Sequence, residues 1–426
     1  MLNKIKNLIK LDKNFVRSGA IVFIGSMIVN VLNYIFHLVM GRSLGPASYG
    51  IAVTLISLLA LFSVPISTVN TAVVKFTSEV SAKNQLGNIT YLFKKLSLVF
   101  IIAGLIFIFV IMLCANSLGQ FLNIDPLYIK IISVFVVFAL FCALTRGILQ
   151  GLKKFEIYSI NLIVEVVAKI VFFLIFFYLG QKILGVTLAL IFSAIIAFLT
   201  SLPYIKNILK LDSQPVSLKH LFKYSSYTFW VFVFITIITY IDIILVKHYF
   251  SPEVAGLYGA LATAGKIIFF IANPIILVMF PMVSDAYEQN RKHFGLLAQT
   301  LLTVIGLSLA VLAIYYFFPQ FVIKILYGQQ FLSISVYLFR FGLAMLLFSL
   351  ASLFTYYFLS IKKMSFLFFI ITTAILELIL IYLFHGSIGQ IINDLIYSYS
   401  FLLVSLSVMY IIGKKNTIIN LIKKTA

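Results

Sequence analysis

Charge is the scarcest property of this sequence. Only 10% of its 426 residues are Asp, Glu, Lys or Arg, whereas 62% are hydrophobic. A soluble globular domain carries about 25% charged and about 45–50% apolar residues. A water-soluble fold is therefore excluded, and chain length says nothing about domain number. Cysteine is nearly absent: Cys114 and Cys142 each sit in an apolar run, leaving no disulfide framework and no zinc-ligand spacing. No Walker motif, no His-Glu-x-x-His, no Gly-x-Ser-x-Gly and no metal-spaced cluster of His or Asp occurs. ATP is thus not the direct driver, and neither a catalytic residue, a metal nor a cofactor is indicated. "GALATAGKI" imitates a phosphate loop, but its glycine spacing is wrong and Ile267 stands where Ser or Thr is needed. Long polar loops are missing too, and an enzyme acting on lipid-linked sugars would need one for its acceptor.

What is present is a succession of apolar runs. A spanning helix needs roughly 20 apolar residues. That rule predicts an all-α polytopic membrane protein of about twelve spans, beginning with Phe15–Met40 and Ile51–Val74 and ending with Gly389–Ile412. The 32 Lys and Arg outnumber the 12 acidic residues. Most of them crowd the loops of one side, including Lys94, Lys95, Lys153, Lys154, Arg291, Lys292, Lys362 and Lys363. The opposite loops and their edges hold only Arg42, Lys130, Lys182, Lys247 and Lys324. The bias puts both termini in the cytoplasm, with the spans in the cell (inner) membrane. The positive charge is a topology signal and gives no support to nucleic-acid binding. The N-terminal "MLNKIKNLIKLDKNFVRSG" is basic with apolar residues at helical spacing, and no small-residue cleavage site follows. It reads as a retained interfacial amphipathic helix, mirrored by "NTIINLIKK" at the C-terminus.

The two halves resemble each other. Tyr49 and Tyr258, Pro65 and Pro274, Glu79 and Glu288, and Lys153 and Lys362 are each 209 positions apart (258 − 49, and so for the rest). Six spans per half is even, so the repeat is parallel, about an axis along the membrane normal. Two pseudo-symmetric six-helix bundles around a central cavity are expected: residues 1–210 with the amphipathic N-terminus, and residues 211–426 with the basic tail. The boundary falls in the polar "KNILKLDSQPVSLKHLFKYS". Pro65 and Pro274 are expected to mark equivalent bends, each lacking the N–H that a helix interior needs.

Ionisable residues inside spans cost at least about 2.5–3.5 kcal/mol each at the bilayer centre. Asn161, Glu165 and Lys169 lie at i, i+4 and i+8 on one helix face. They are either a structural Glu–Lys pair between helices or a cavity-lining stripe. Lys266 is about ten residues deep with no carboxylate at i±3 or i±4, which favours a cavity. Arg340 lies in the tenth span. Arg42, at the outer end of the first, is an interfacial anchor or a cavity mouth, and Arg146, near the cytoplasmic end of its span, reads as an anchor. Glu377 either carries a proton or pairs with a lysine on another helix, and Asp242 has Lys247 nearby. The deep residues lean toward cations, and such a cavity suits a phosphate or diphosphate.

"LVMGRSLGPASYGIAVTLISLLALFSVP", "RGILQGLKKFEIYSINLIVEVVAKIV", "YIDIILVKHYFSPEVAGLYGALATAGKI", "MFPMVSDAYEQN" and "ILYGQQF" resemble the polysaccharide transporters. These are the oligosaccharide flippases of the multidrug/oligosaccharidyl-lipid/polysaccharide exporter superfamily. The resemblance implies two bundles around a V-shaped cavity that opens alternately to each side. It implies export of a polyprenyl-diphosphate-linked oligosaccharide from the cytoplasmic to the outer leaflet for cell-surface polysaccharide synthesis. In that reading the protein is not an enzyme; Lys266, Arg340, Lys169, Arg42 and Asn161 contact the substrate, and Glu165, Glu377 and Asp242 are coupling or counter-ion groups. The partners implied are the lipid-linked oligosaccharide, membrane lipid, H⁺ or Na⁺, and other polysaccharide-assembly proteins. The alternatives are a cation-coupled multidrug exporter and a peptidoglycan-precursor flippase. Lys266 matches the eighth-span cation of the latter, while the second span holds no cation before its cytoplasmic end.

Overall fold

The computed structural model describes residues 13–212, 219–289, 291 and 294–425. The amphipathic segment expected before Lys13 lies outside them, as do the side chains of the basic C-terminal tail. Every described element is helical, as a bilayer requires, because a helix satisfies its own backbone polar groups. In chain order these are α1 (Lys13–Phe62), α2 (Val64–Ala82), α3 (Gly87–Leu122), α4 (Pro126–Gly151), α5 (Phe155–Tyr178), α6 (Ile183–Leu209) and α7 (Lys219–Tyr249). They continue with α8 (Pro252–Gly265), α9 (Ile267–Glu288), α10 (Phe294–Phe317) and α11 (Pro319–Tyr327). A 3₁₀ segment, Gln329–Tyr337, then leads to α12 (Leu338–Ser360), α13 (Phe366–Leu383) and α14 (Ile388–Thr425).

Among the described residues, eleven stretches are long and apolar enough to cross a membrane. The first, Ala20–Phe62, has 43 residues; straight, it would be about 65 Å long, twice the hydrocarbon thickness. It folds at Gly45 (φ 73, ψ 171), a backbone region open essentially to glycine alone. Counting both arms restores the twelve spans. The second arm breaks at Ser63, and Pro65 sits in the first turn of α2. In the other half the interruption falls at Lys266, between α8 and α9, and Pro274 lies inside α9. The two prolines therefore do not sit at matching breaks.

Contacts gather the chain into two compact units, Met1–Met40 with Leu55–Val233, and Gly41–Thr54 with Phe234–Ala426. The division falls within α7 and not at residue 210, and the chain around Gly45 joins the second unit. Close backbone packing explains that exchange. A Cβ on Gly256 would stand 1.8 Å from the Pro46 carbonyl oxygen, and one on Gly50 would stand 2.7 Å from the Gly256 nitrogen. Small residues permit such approach between helices in lipid. Gly256→Ala is expected to force the two backbones apart and to cost about 1–3 kcal/mol, read as a lower melting midpoint in detergent. An unchanged midpoint would show the contact to be loose.

Within the first unit α4 is central, packed by α2, α3 and α6. Val73, Phe76, Ile89, Leu92, Leu144 and Ile148 form its buried core. Gly147 and Gly151, four apart on α4, admit Val73 and Thr77 of α2, the same small-residue device. Within the second unit α12 takes the central place, packed by α8, α9, α10 and α14.

The repeat is visible in the backbone. Lys153 and Lys362 both take a left-handed conformation, φ 59 and φ 57. The amides of Lys153 and Lys154 donate to Gln150 O and Leu149 O, and those of Lys362 and Lys363 to Leu359 O and Phe358 O. Every one of these positions is matched by the offset of 209. The motif is a Schellman-type helix end, usually built on glycine. Lys362 also pairs with Glu288, and that hydrogen bond raises the ammonium above its ordinary range.

Candidate functional site

Each unit holds a polar cluster within apolar surroundings. In the first unit, Arg146 of α4 reaches α5. Its Nε donates to Asn161 Oδ1 at 2.7 Å, and its Nη2 lies 2.6 Å from Glu165 Oε2 and 3.3 Å from Asn161 O. Asn161 in turn donates to Ala197 O at 2.7 Å and Thr200 Oγ1 at 3.0 Å on α6. One network thus ties α4, α5 and α6 together. The Arg146 and Glu165 side chains retain only 12% and 22% of their exposure.

This arrangement corrects two sequence expectations. Glu165 makes its close ion pair with Arg146 across helices, and its interaction with Lys169 along its own helix is electrostatic only. Arg146 is an internal partner and not an interfacial anchor. Lys169 Nζ instead donates to Asn33 Oδ1 at 2.5 Å and lies 4.8 Å from the centre of the Phe36 ring, both on α1. The stripe Asn161, Glu165 and Lys169 therefore does not act as one surface. Beside the network is a cavity of about 390 Å³, lined among others by Ser63, Ser67, Asn70, Thr71, Arg146 and Glu165. The sequence reading passed over Ser63, Ser67, Asn70 and Thr71. Their signal was present, a polar stripe at i, i+4, i+7 and i+8 in an apolar span.

In the second unit, Lys266 sits at the α8–α9 interruption and is buried. Its Nζ donates to Thr239 O at 2.7 Å and lies 4.9 Å from the centre of the Tyr240 ring. Asp242 of α7 and Glu377 of α13 interact with it electrostatically, and both carboxylates are almost wholly buried. Asp242 Oδ2 accepts from Tyr258 OH at 2.8 Å, whereas Lys247 interacts electrostatically with Glu253. Asp242 Oδ1 and both Glu377 oxygens have no hydrogen-bond partner among the described residues. Asp394 Oδ2 and Ser398 Oγ on α14 are likewise without one. Two carboxyl groups and one amino group are thus buried together. Lys266 looked unpaired because its acidic neighbours come from other helices.

Arg42 is exposed and donates to Ile325 O. Arg340, in the first turn of α12, donates to Asn393 Oδ1 of α14. Neither is bonded to Lys266. No group of His, Cys, Asp and Glu among the described residues is placed to hold a metal ion.

Residues 15–287 match the family described as polysaccharide biosynthesis protein. No curated protein matches the sequence. The fold is similar to that of a multidrug resistance MATE family transporter of the MOP superfamily in an inward-facing conformation. There the TM-score is 0.78 and the identity 16%, over 93% of this chain and 96% of that one. It is similar to the lipid II flippase MurJ in an inward closed conformation, with a TM-score of 0.70 and 18% identity over 91% of this chain and 87% of the other. It is also similar to MATE in the straight conformation, with a TM-score of 0.67 and 14% identity over 95% of each chain. At these identities the likeness is one of fold.

Proposed function

The chain belongs to the polysaccharide biosynthesis protein family, and from that membership we propose a flippase. It moves a polyprenyl-diphosphate-linked oligosaccharide from the cytoplasmic to the outer leaflet of the cell membrane by alternating access, and breaks no bond. The family match over residues 15–287, in a chain that folds as membrane transporters do, carries this reading.

The charges support a division of labour. Lys169, Arg340 and Arg42 are held by neutral oxygens, those of Asn33, Asn393 and the Ile325 backbone. Each is proposed, on its own, as a cation that meets the diphosphate. Lys266 interacts with two carboxylates, which suits it to coupling more than to holding an anion. One carboxyl group exceeds the ammonium in number, and that extra carboxyl group is the proposed site of H⁺ or Na⁺ uptake. Glu165 is a counter-ion to Arg146. Moving a diphosphate of charge near −2 outward also gains about 2.3 kcal/mol per charge at 100 mV, positive outside.

The test is transbilayer movement of a labelled polyprenyl-diphosphate oligosaccharide in proteoliposomes. Faster movement than in protein-free vesicles, with the lipid recovered intact, is the expected result. A cleaved or extended lipid would point to an enzyme. No movement, together with export of a cationic dye, would replace the flippase with a drug exporter.

A further inference from the structure

The cavity of the first unit has a chemistry of its own. Across the α1–α2 break, Ser63, Ser67 and Thr71 share one face with Asn70 beside them, and all four line the cavity. Each hydroxyl spends its single hydrogen on the carbonyl four residues back. Ser63 Oγ donates to Leu59 O at 2.7 Å, Ser67 Oγ to Ser63 O at 3.4 Å, and Thr71 Oγ1 to Ser67 O at 3.0 Å. The Asn70 amide nitrogen donates to Ala143 O at 3.1 Å. What the three hydroxyls still offer is lone pairs, and Asn70 keeps its Oδ1 and one N–H. On the same cavity, Glu165 gives one oxygen to Arg146 and keeps the other. Arg146 directs Nε and Nη2 to Asn161 and Glu165. Acceptors therefore outnumber donors.

Such a wall suits a phosphate poorly, because a phosphate brings only acceptors and the Arg146 charge is already matched by Glu165. It favours a neutral group that presents several hydroxyl hydrogens at once. Phe135 and Phe232 also line the cavity and give the apolar face that a sugar ring can cover. A volume of about 390 Å³ lies within the range of small-molecule sites, about 300–1,000 Å³.

We infer that this cavity is a saccharide subsite that holds hydroxyl groups of the lipid-linked glycan, separately from the diphosphate. The inference rests on the flippase reading. The variant Ser67→Ala/Thr71→Val removes two acceptors and leaves the Asn70–Ala143 and Arg146–Glu165 contacts in place. With the purified full chain, affinity for a polyprenyl-diphosphate oligosaccharide is expected to fall about tenfold. Affinity for the same polyprenyl diphosphate without sugar is expected to stay the same. An equal fall for both lipids, or no fall for the glycan lipid, overturns the inference.

A second measurement does not depend on the lipid. Thr71→Cys is labelled with a water-soluble maleimide in the presence of methyl glycosides of hexoses and N-acetylhexosamines. Protection by glycosides is expected. Protection by a cationic rhodamine dye and not by glycosides would make the cavity a drug pocket. If wild type binds neither lipid while glycosides still protect Thr71→Cys, the flippase reading fails and the saccharide site stands.

Discussion

Lys266→Met is expected to stop transport and to cost about 3 kcal/mol of stability, and adding Glu377→Gln is expected to restore stability without restoring transport. Removing one partner from a buried charged group leaves the other uncompensated, at about 3–5 kcal/mol. The lower end applies here because neither carboxylate comes within 4 Å of Nζ and the nearest bond is to Thr239 O. Without the ammonium, Asp242 still has Tyr258, while Glu377 has no hydrogen-bond partner among the described residues. Neutralising Glu377 therefore removes the larger part of the penalty. It also removes the carboxyl group proposed to take up the coupling ion, so transport stays lost. The measurement is a melting curve for wild type, both single variants and the double, beside the proteoliposome assay. A double variant no more stable than Lys266→Met would mean that the two groups do not share a charge balance. Full transport by Lys266→Met would remove the cluster from the mechanism.

Much of this architecture was legible in the sequence, because in lipid the hydrophobic pattern determines the helices. The repeat was legible too: the offset of 209 that links Lys153 to Lys362 reappears as two left-handed lysines with the same hydrogen bonds. The partners of the charges were less so. Helical spacing tells which side chains share a face of one helix, so Glu165 and Lys169 looked like a pair. Which helix faces them is a tertiary matter, and α4 supplies Arg146 while α1 supplies Asn33. The same limit hid the carboxylates of Lys266, which come from α7 and α13. The fold at Gly45 was read as a loop between spans. In the structure its flanks stay helical, and they pack so closely on α8 that Gly41–Thr54 joins the second unit.

In the first unit the largest effect is expected at Arg146. Arg146→Met keeps an unbranched apolar stem but leaves the largely buried Glu165 without its cation and Asn161 Oδ1 without its donor. A loss of about 3–5 kcal/mol follows, seen as a lower melting midpoint and poor recovery from the membrane. Arg146→Lys should recover only part of it. Lysine brings the charge but not the planar fork, and the guanidinium meets Asn161 and Glu165 at once, through Nε and Nη2. Glu165→Gln combined with Arg146→Met should be more stable than Arg146→Met alone, because the stranded charge is gone. If the pair is only structural, this double variant should transport the lipid as wild type does. If Glu165 also presents its second oxygen to the saccharide, the double variant should regain stability yet bind the glycan lipid more weakly than the bare diphosphate lipid, relative to wild type. The comparison thus separates the carboxylate that holds three helices together from the carboxylate that contacts a sugar.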